Sequence, residues 1–230
     1  MKIAVVSRSE HRLKKHLETV RKYKRFISDK PDVVIALGGD GTFLAAERYY
    51  SGIPKLLVRD DSICNKCDWD NLEEGIKRLL GNRFTIKTIN KIETDFKGAL
   101  LEGVNDIVVR NAHPTHAIRF RLWVDKKKIG GEFIGDGLVV STPFGSEGYF
   151  RSITKRHFEK GLGIAFNNIT EKYEPLFIDS DSVVTIQLIR GMAHVAADNN
   201  PEMVIADKGD KIVIRQSKST ARIVRFDAKA

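Results

Sequence analysis

The sequence predicts an α/β fold joined to an all-β one. A parallel α/β nucleotide-binding domain over residues 1–83 is followed by a β-sandwich-like domain over residues 84–230, whose last strand segment is left open to packing back on the first domain. Three observations carry this expectation. Apolar runs at 3–6, 33–37 and 55–58 alternate with stretches of helical periodicity. The second run passes directly into Gly38-Gly39-Asp40-Gly41-Thr42, the strand-to-turn-to-helix pattern of a parallel sheet. From about Phe84 the chain turns to short β-rich runs with turn punctuation and few helical stretches.

Element by element, 3–6 reads as a short buried strand, and Leu13, Leu17, Val20, Tyr23 and Ile27 recur at helical spacing after it. The strand at 33–37 leads to a helix over about 43–50, which ends near Gly52. Pro54 precedes the strand at 55–58, and a helix at 71–80 closes at Gly81. Strand patterns then fall at 84–92, 103–110, 117–124, 128–134, 138–141, 183–189, 194–197, 211–215 and 221–226.

Composition narrows the function classes. The 230 residues are 42% apolar and 30% charged, which fits an ordinary globular protein with a full core. No window approaches a membrane span and 1–7 has no apolar signal core behind it, so a cytoplasmic protein without a membrane partner is expected. Lys and Arg exceed Asp and Glu by 39 to 30, a net charge of +9 that favours polyanionic partners. Lys14, Lys15, Arg21, Lys22, Lys24 and Arg25 form a solvated helix face, and no nucleic-acid module accompanies them; nucleotides, not nucleic acid, are the expected ligands. Cys64 and Cys67 form one C-x-x-C. A zinc site would need further ligands and a redox pair is equally open, while two reduced cysteines are the expectation for a cytoplasmic chain.

The chemistry begins at Gly38 to Thr42. Glycines at the tip of a buried strand let backbone N–H groups approach an anion, and the helix that follows aims its positive end at the same spot. Gly38, Gly39, Gly41 and Thr42 are thus the candidate phosphate-binding residues. Asp40 would repel a phosphate unless a metal or a proton transfer is involved, which points to phosphoryl transfer with Asp40 as base. The alternative is a plain strand-to-helix turn with Asp40 or Thr42 as N-cap. A second run, Gly135-Asp136-Gly137 through Ser146-Glu147-Gly148-Tyr149, repeats the pattern of an acid between glycines, an apolar strand and a polar turn. Its hydroxyls, open backbone and aromatic ring suit a sugar, a phosphate or a base.

Together with Asn105-Asp106 in Gly103-Val104-Asn105-Asp106-Ile107, these runs resemble, in order, the motifs of the NAD kinase family. The resemblance extends to Ala197-Asp198 and Gly209-Asp210 and so spans most of the chain. It implies transfer of the γ-phosphoryl of ATP, or of polyphosphate, to the 2′-hydroxyl of the adenosine ribose of NAD, with Mg²⁺ or another divalent cation carried by the nucleotide phosphates and no direct protein ligands. By the same resemblance Asp40 is the base; Asp40, Gly41, Asn105, Asp106, His116, Tyr149, Ser152 and Asn199 contact NAD; and Asp136 reaches a nucleotide in a neighbouring subunit of a homodimer or homotetramer. The active site is expected in the cleft between the domains.

The chain departs from the family at three places. Glu147-Gly148 replaces Thr-Ala, putting a carboxylate beside the expected nucleotide, within reach of a ribose hydroxyl or a metal. Ser152-Ile153-Thr154-Lys155 replaces Ser-Ala-Gly-Gly, and Val58-Arg59-Asp60-Asp61-Ser62-Ile63 replaces a Gly-rich loop. Arg59, Lys155 and Arg156 are candidate phosphate-binding charges. A related kinase of a lipid or sugar hydroxyl, and a catalytically silent nucleotide sensor, are the competing readings.

Overall fold

A computed structural model describes residues 1–60, 64, 66, 67 and 69–226. The chain divides into two compact units, Met1–Ile89 with Thr220–Ala230, and Asn90–Ser219.

In the first unit, β1 (Ile3–Val6) is followed by the short helices α1 (Glu10–Lys15) and α2 (Leu17–Lys22), β2 (Val33–Gly38), α3 (Asp40–Tyr49), β3 (Lys55–Arg59) and α4 (Leu72–Leu80). The three strands pair in parallel in the order β1-β2-β3. All six residues of β2 are buried, as a parallel strand covered on both faces requires. Val33, Ile35, Leu37, Leu56, Val58 and the α4 residues Leu72, Ile76 and Leu79 form the core of this unit. At the start of α4 the Asn71 side chain accepts the Glu74 N–H at 3.0 Å; acids fill the first turn and bases the last, both favoured by the helix dipole. The single helix expected from Leu13 to Ile27 is instead broken. His16 sits at φ −102°, ψ 7°, outside helical geometry, and its imidazole lies 3.2 Å from the Asp60 carboxylate that Lys15 also meets at 3.0 Å. The helix ending in residue 49 begins at Asp40, three residues earlier than its periodicity suggested. Asp61, Ser62 and Ile63 of the loop after β3 lie outside the described residues.

The remaining strands are β4 (Thr85–Phe96), β5 (Ala99–Gly103), β6 (Asp106–Asn111), β7 (Ile118–Val124), β8 (Lys127–Gly135) and β9 (Gly137–Ser141). After them come α5 (Arg151–Thr154), β10 (Leu162–Asn167), β11 (Leu176–Ile178), β12 (Val184–Arg190), β13 (Ala193–Ala197), β14 (Val204–Ala206) and β15 (Lys211–Arg225). In the second unit β7 is central to an antiparallel set with β8 and β12, and β12 pairs on its other side with residues 211–214 of β15. A separate six-stranded sheet runs β11-β10-β9-β6-β13-β14. Alternate residues of both sets, among them Ile107, Val109, Phe120, Leu122, Phe133, Val140, Ile164 and Ile186, meet in one core, which makes this unit the expected sandwich. Two-residue turns at Lys97-Gly98 and Asp125-Lys126, all four at positive φ, close the β4–β5 and β7–β8 hairpins. The two strands expected at 211–215 and 221–226 form one, because the polar middle of β15 is satisfied sideways: Ser217 donates to Glu102 at 2.6 Å, and Ser219 also donates to Glu102. The strand β10 was not legible in Gly161-Leu162-Gly163-Ile164, where two glycines blunt the β signal.

Candidate active site

In the first unit the Gly38 to Thr42 turn joins the end of β2 to the start of α3. Gly38 ends β2 at φ 152°, a conformation that L side chains rarely adopt. Gly39 is the N-cap of α3, in place of the Asp40 or Thr42 cap the plain-turn alternative supposed, and it makes no side-chain cap bond. Its carbonyl accepts the N–H of Thr42 at 2.9 Å. Thr42 is buried and Asp40 half-buried, so Asp40 is the residue that the turn presents. Its Oδ1 accepts the Lys66 N–H at 3.0 Å and lies 3.2 Å from Cys64 Sγ. Cys64 and Cys67 are joined in a disulfide, contrary to the expectation of two reduced thiols. The physical reason is the tight loop, which brings their Cα atoms to 5.5 Å, within ordinary disulfide range. Arg59 is not a loose surface charge: its guanidinium donates to the carbonyls of Cys64 and Cys67, both at 3.3 Å.

In the second unit the structure brings Asn105-Asp106 together with the second Gly-containing run. Thr142 donates its N–H to the Asn105 carbonyl at 2.9 Å and its hydroxyl to the Val104 carbonyl at 2.6 Å. Gly145 packs so closely on Asn105 that a Cβ there would lie 2.2 Å from its carbonyl oxygen. Asp198, at φ 50°, takes the N–H groups of Val104, Asn105 and Asp106 on its carboxylate at 2.9, 2.7 and 3.2 Å. It thereby holds the 104–106 turn from behind, a role that a single sequence offers no signal for beyond an Asp-Asn turn. Burial first, and the Asp198 charge second, push the Asp106 carboxyl up to about 7. Asp198 is itself pushed up to about 6 by burial, against the pull of its three backbone donors and Lys91.

The turn after β9 folds over the outer face of the sheet. Tyr149 and Phe150 pack with Val108, Val139 and Ala165. The Tyr149 hydroxyl accepts from Asn167 Nδ2 at 3.1 Å, and Ser152 donates to the Tyr149 carbonyl at 2.7 Å. Glu147 and Gly148 are exposed on this turn, whose backbone breaks at Gly148 (φ −89°, ψ −122°). Lys155 donates to Ser152 and Arg156 pairs with Glu174, so both have local partners. Asn199 is half-buried beside Asp198.

Asp136 and His116 lie elsewhere. The ladder register Asp106↔Ser141 to Arg110↔Gly137 separates the Asn105-Asp106 end of β6 and β9 from the Asp136 end. Four steps at about 3.3 Å put them roughly 13 Å apart. Gly135 and Gly137 let Asp136 sit between neighbouring strands: a Cβ on Gly137 would lie 2.0 Å from the Val109 carbonyl oxygen. Asn111 ties this end together, donating to Asp136 at 3.3 Å and to the carbonyls of His113 and His116 at 3.0 and 3.2 Å. Exposed His116 borders a cavity of about 590 Å³ whose lining includes His113, Arg119, Arg190 and Met192.

A carboxylate presented by a glycine turn at a helix start, and a second unit rich in amide, hydroxyl and cationic groups, belong to a phosphotransferase that works on nucleotides. Residues 104–226 match the family model for the ATP-NAD kinase C-terminal domain. The NAD kinase of Gemmatimonas aurantiaca is 30% identical over 228 residues, covering 88% of this chain and 75% of that protein. The bifunctional NADP phosphatase/NAD kinase of Methanococcus maripaludis is 26% identical over 208 residues; the match covers 84% of this chain and spans about a third of that longer protein, 36%. The crystal structure of an Archaeoglobus fulgidus NAD kinase in complex with ATP has the same fold, with a TM-score of 0.80 at 18% identity over 99% of this chain and 94% of that one. The chain belongs to the NAD kinase family and is a kinase that phosphorylates NAD to NADP. Among the described residues, no helix is long and apolar enough to cross a membrane.

Proposed function

We propose that Asp40 is the general base of this reaction and that the 2′-hydroxyl of the adenosine ribose of NAD is its acceptor. The observation that carries the reading is the position of Asp40, the presented carboxylate on the first residue of α3. A sugar hydroxyl is a poor nucleophile, and a carboxylate within hydrogen-bond reach takes its proton as the oxygen attacks the γ-phosphorus. Gly38, Gly39 and Gly41, backed by buried Thr42, form the phosphate-facing surface, with the positive end of α3 behind it. ATP is the donor, with polyphosphate as the alternative.

Mg²⁺ is carried on the donor phosphates. The one cluster of potential protein ligands at Asp40 among the described residues pairs its carboxylate with two sulfurs, a set that suits Mg²⁺ poorly. When bound through the phosphates, the cation neutralises charge that develops on the transferred group.

On the second unit Asn105 offers an amide donor and acceptor for an adenine edge, and Asp106 a carboxyl for ribose hydroxyls. Tyr149, Ser152, Glu147, Gly148 and Asn199 complete the nucleotide contacts in this reading. Asp136, about 13 Å along the ladder from Asp106 by strand rise, serves a nucleotide held by a second copy of the chain, so the enzyme works as a homo-oligomer, and His116 is a further polar contact to NAD. It is placed in the cytoplasm, where its substrates are.

The test is incubation of the pure protein with Mg²⁺, ATP and NAD, following NADP with an NADP-specific dehydrogenase. NADP formed with ADP in equal amounts supports the reading. Its absence with both ATP and polyphosphate overturns it.

A further inference from the structure

The C-x-x-C is buried and has no part in the kinase reaction, yet it is seated against the residue on which that reaction turns. Cys64 Sγ, Cys67 Sγ and a carboxylate oxygen of Asp40 lie within 4.8 Å of one another. Both cysteines are buried, at 6% and 7% exposure, so a ligand there would be largely shielded from water. A disulfide sulfur has no proton to share, and the 3.2 Å contact between Cys64 Sγ and Asp40 Oδ1 is therefore no hydrogen bond in the oxidised state. In the reduced state the same contact sets a thiol beside a carboxylate.

We infer that, once reduced, Cys64 and Cys67 join Asp40 in a three-ligand site for a zinc-class cation. C-x-x-C is an ordinary zinc spacing, and two thiolates with one carboxylate form a soft donor set that favours zinc over Mg²⁺. Zinc–sulfur and zinc–oxygen bonds of about 2.3 and 2.1 Å place neighbouring tetrahedral ligand atoms about 3.5–3.8 Å apart. Asp40 and Cys64 are already near that separation. Opening the sulfur–sulfur bond brings the third ligand atom into range. The supports of the loop do not depend on that bond. Arg59 holds both cysteine carbonyls, and the Lys66 N–H holds Asp40. Arg59 also offsets the net negative charge that two thiolates and a carboxylate leave around a divalent cation.

Reduction uses a dithiol. One thiolate attacks a sulfur of the Cys64–Cys67 bond to form a mixed disulfide, and the second displaces it. Two electrons and two protons end on Cys64 and Cys67, and the reductant leaves as a cyclic disulfide. Cation binding then releases the two thiol protons to solvent. The consequence for catalysis rests on the reading of Asp40 as base. A cation on its carboxylate withdraws it from the ribose hydroxyl, so the filled site is an off state available only to the dithiol form.

The experiment is anaerobic titration of Co²⁺ into protein reduced with dithiothreitol and desalted. The expected result is one Co²⁺ per chain with a thiolate-to-cobalt charge-transfer band, displaced by Zn²⁺ and missing from oxidised protein. Asp40→Asn should weaken binding by about tenfold or more, and Cys64→Ser/Cys67→Ser should abolish it, with circular dichroism confirming that both variants are folded. Zn²⁺ should inhibit NADP formation by reduced wild type and leave the turnover of the double-serine variant unresponsive. A reduced protein with no charge-transfer band, or an Asp40→Asn variant with unchanged affinity, overturns the site. Cobalt binding by the reduced protein, with no NADP formed by the oxidised, cobalt-free protein, overturns the kinase reading alone, and NADP formation without cobalt binding overturns the site alone.

Discussion

Replacing Asp106 by Asn should change how stability depends on pH. Asp106 is 6% exposed, and burial with the nearby Asp198 charge moves its carboxyl from 3.8 to about 7. The folded state thus holds this proton more tightly than the unfolded chain. The stabilisation is complete below pH 3.8 and is lost as pH rises to about 7, at ~1.4 kcal/mol per pH unit. Over that whole window the loss is about 4 kcal/mol, and between pH 5 and 7 it is roughly 2 kcal/mol. Asp198, raised to about 6, titrates in the same range, so the curve belongs to the pair. Asparagine keeps the shape and cannot ionise. It also removes the partner whose charge Asp198 would meet. Urea unfolding of both proteins at pH 5 and pH 7.5 should therefore find Asp106→Asn gaining roughly 2–2.5 kcal/mol on wild type between the two conditions. Other carboxylates cancel in this difference, including Asp60 and Glu102, whose pKa values are lowered. A difference between the two proteins that is the same at both pH values would refute the reasoning.

Three further outcomes follow from the same geometry. Gly145→Ala puts a methyl 2.2 Å from the Asn105 carbonyl oxygen; overpacking of this kind costs about 1–3 kcal/mol, and calorimetry should find a lowered Tm together with weaker NAD binding. In the first unit Lys55 is fully buried with Glu47 and the Tyr50 carbonyl as partners, so Glu47→Ala leaves a buried ammonium and should cost about 3–5 kcal/mol in urea unfolding; a cost below 1 kcal/mol would mean that the pair contributes little. Asp136→Ala should weaken NAD binding in a protein that sediments as an oligomer, whereas a fully active monomer would remove Asp136 from the shared-site reading.

The parts of this protein that a sequence makes legible are those where one local pattern has one physical reading. The fully apolar β2 run into Gly38-Gly39-Asp40 admits little besides a buried parallel strand and a close turn, and α4 announces itself by Asn71, its acidic first turn and Gly81. The pairing of Asn105 with Gly145 is not of this kind, because two segments forty residues apart meet through backbone contacts that carry no sequence signal. The clamp on that turn by Asp198 is hidden for the same reason: its carboxylate serves N–H groups more than ninety positions earlier. The break at His16 is invisible to helical periodicity, which carries no sign of the Asp60 carboxylate that draws the imidazole away. The disulfide is not legible either, because reduced thiols follow from compartment alone while the 5.5 Å Cα separation that permits the bond is a property of the fold.

The most direct test of the account compares NADP formation by wild type and Asp40→Asn, in Mg²⁺, ATP and NAD, with NAD affinity measured in parallel by calorimetry. Both proteins should be in the oxidised form, so that no cation occupies the cysteine pair. The prediction is ATP-dependent NADP formation by wild type, and an Asn variant that binds NAD with similar affinity while its turnover falls by about 10²–10⁴-fold. Near-normal turnover in the variant would contradict the assignment of Asp40 as the base.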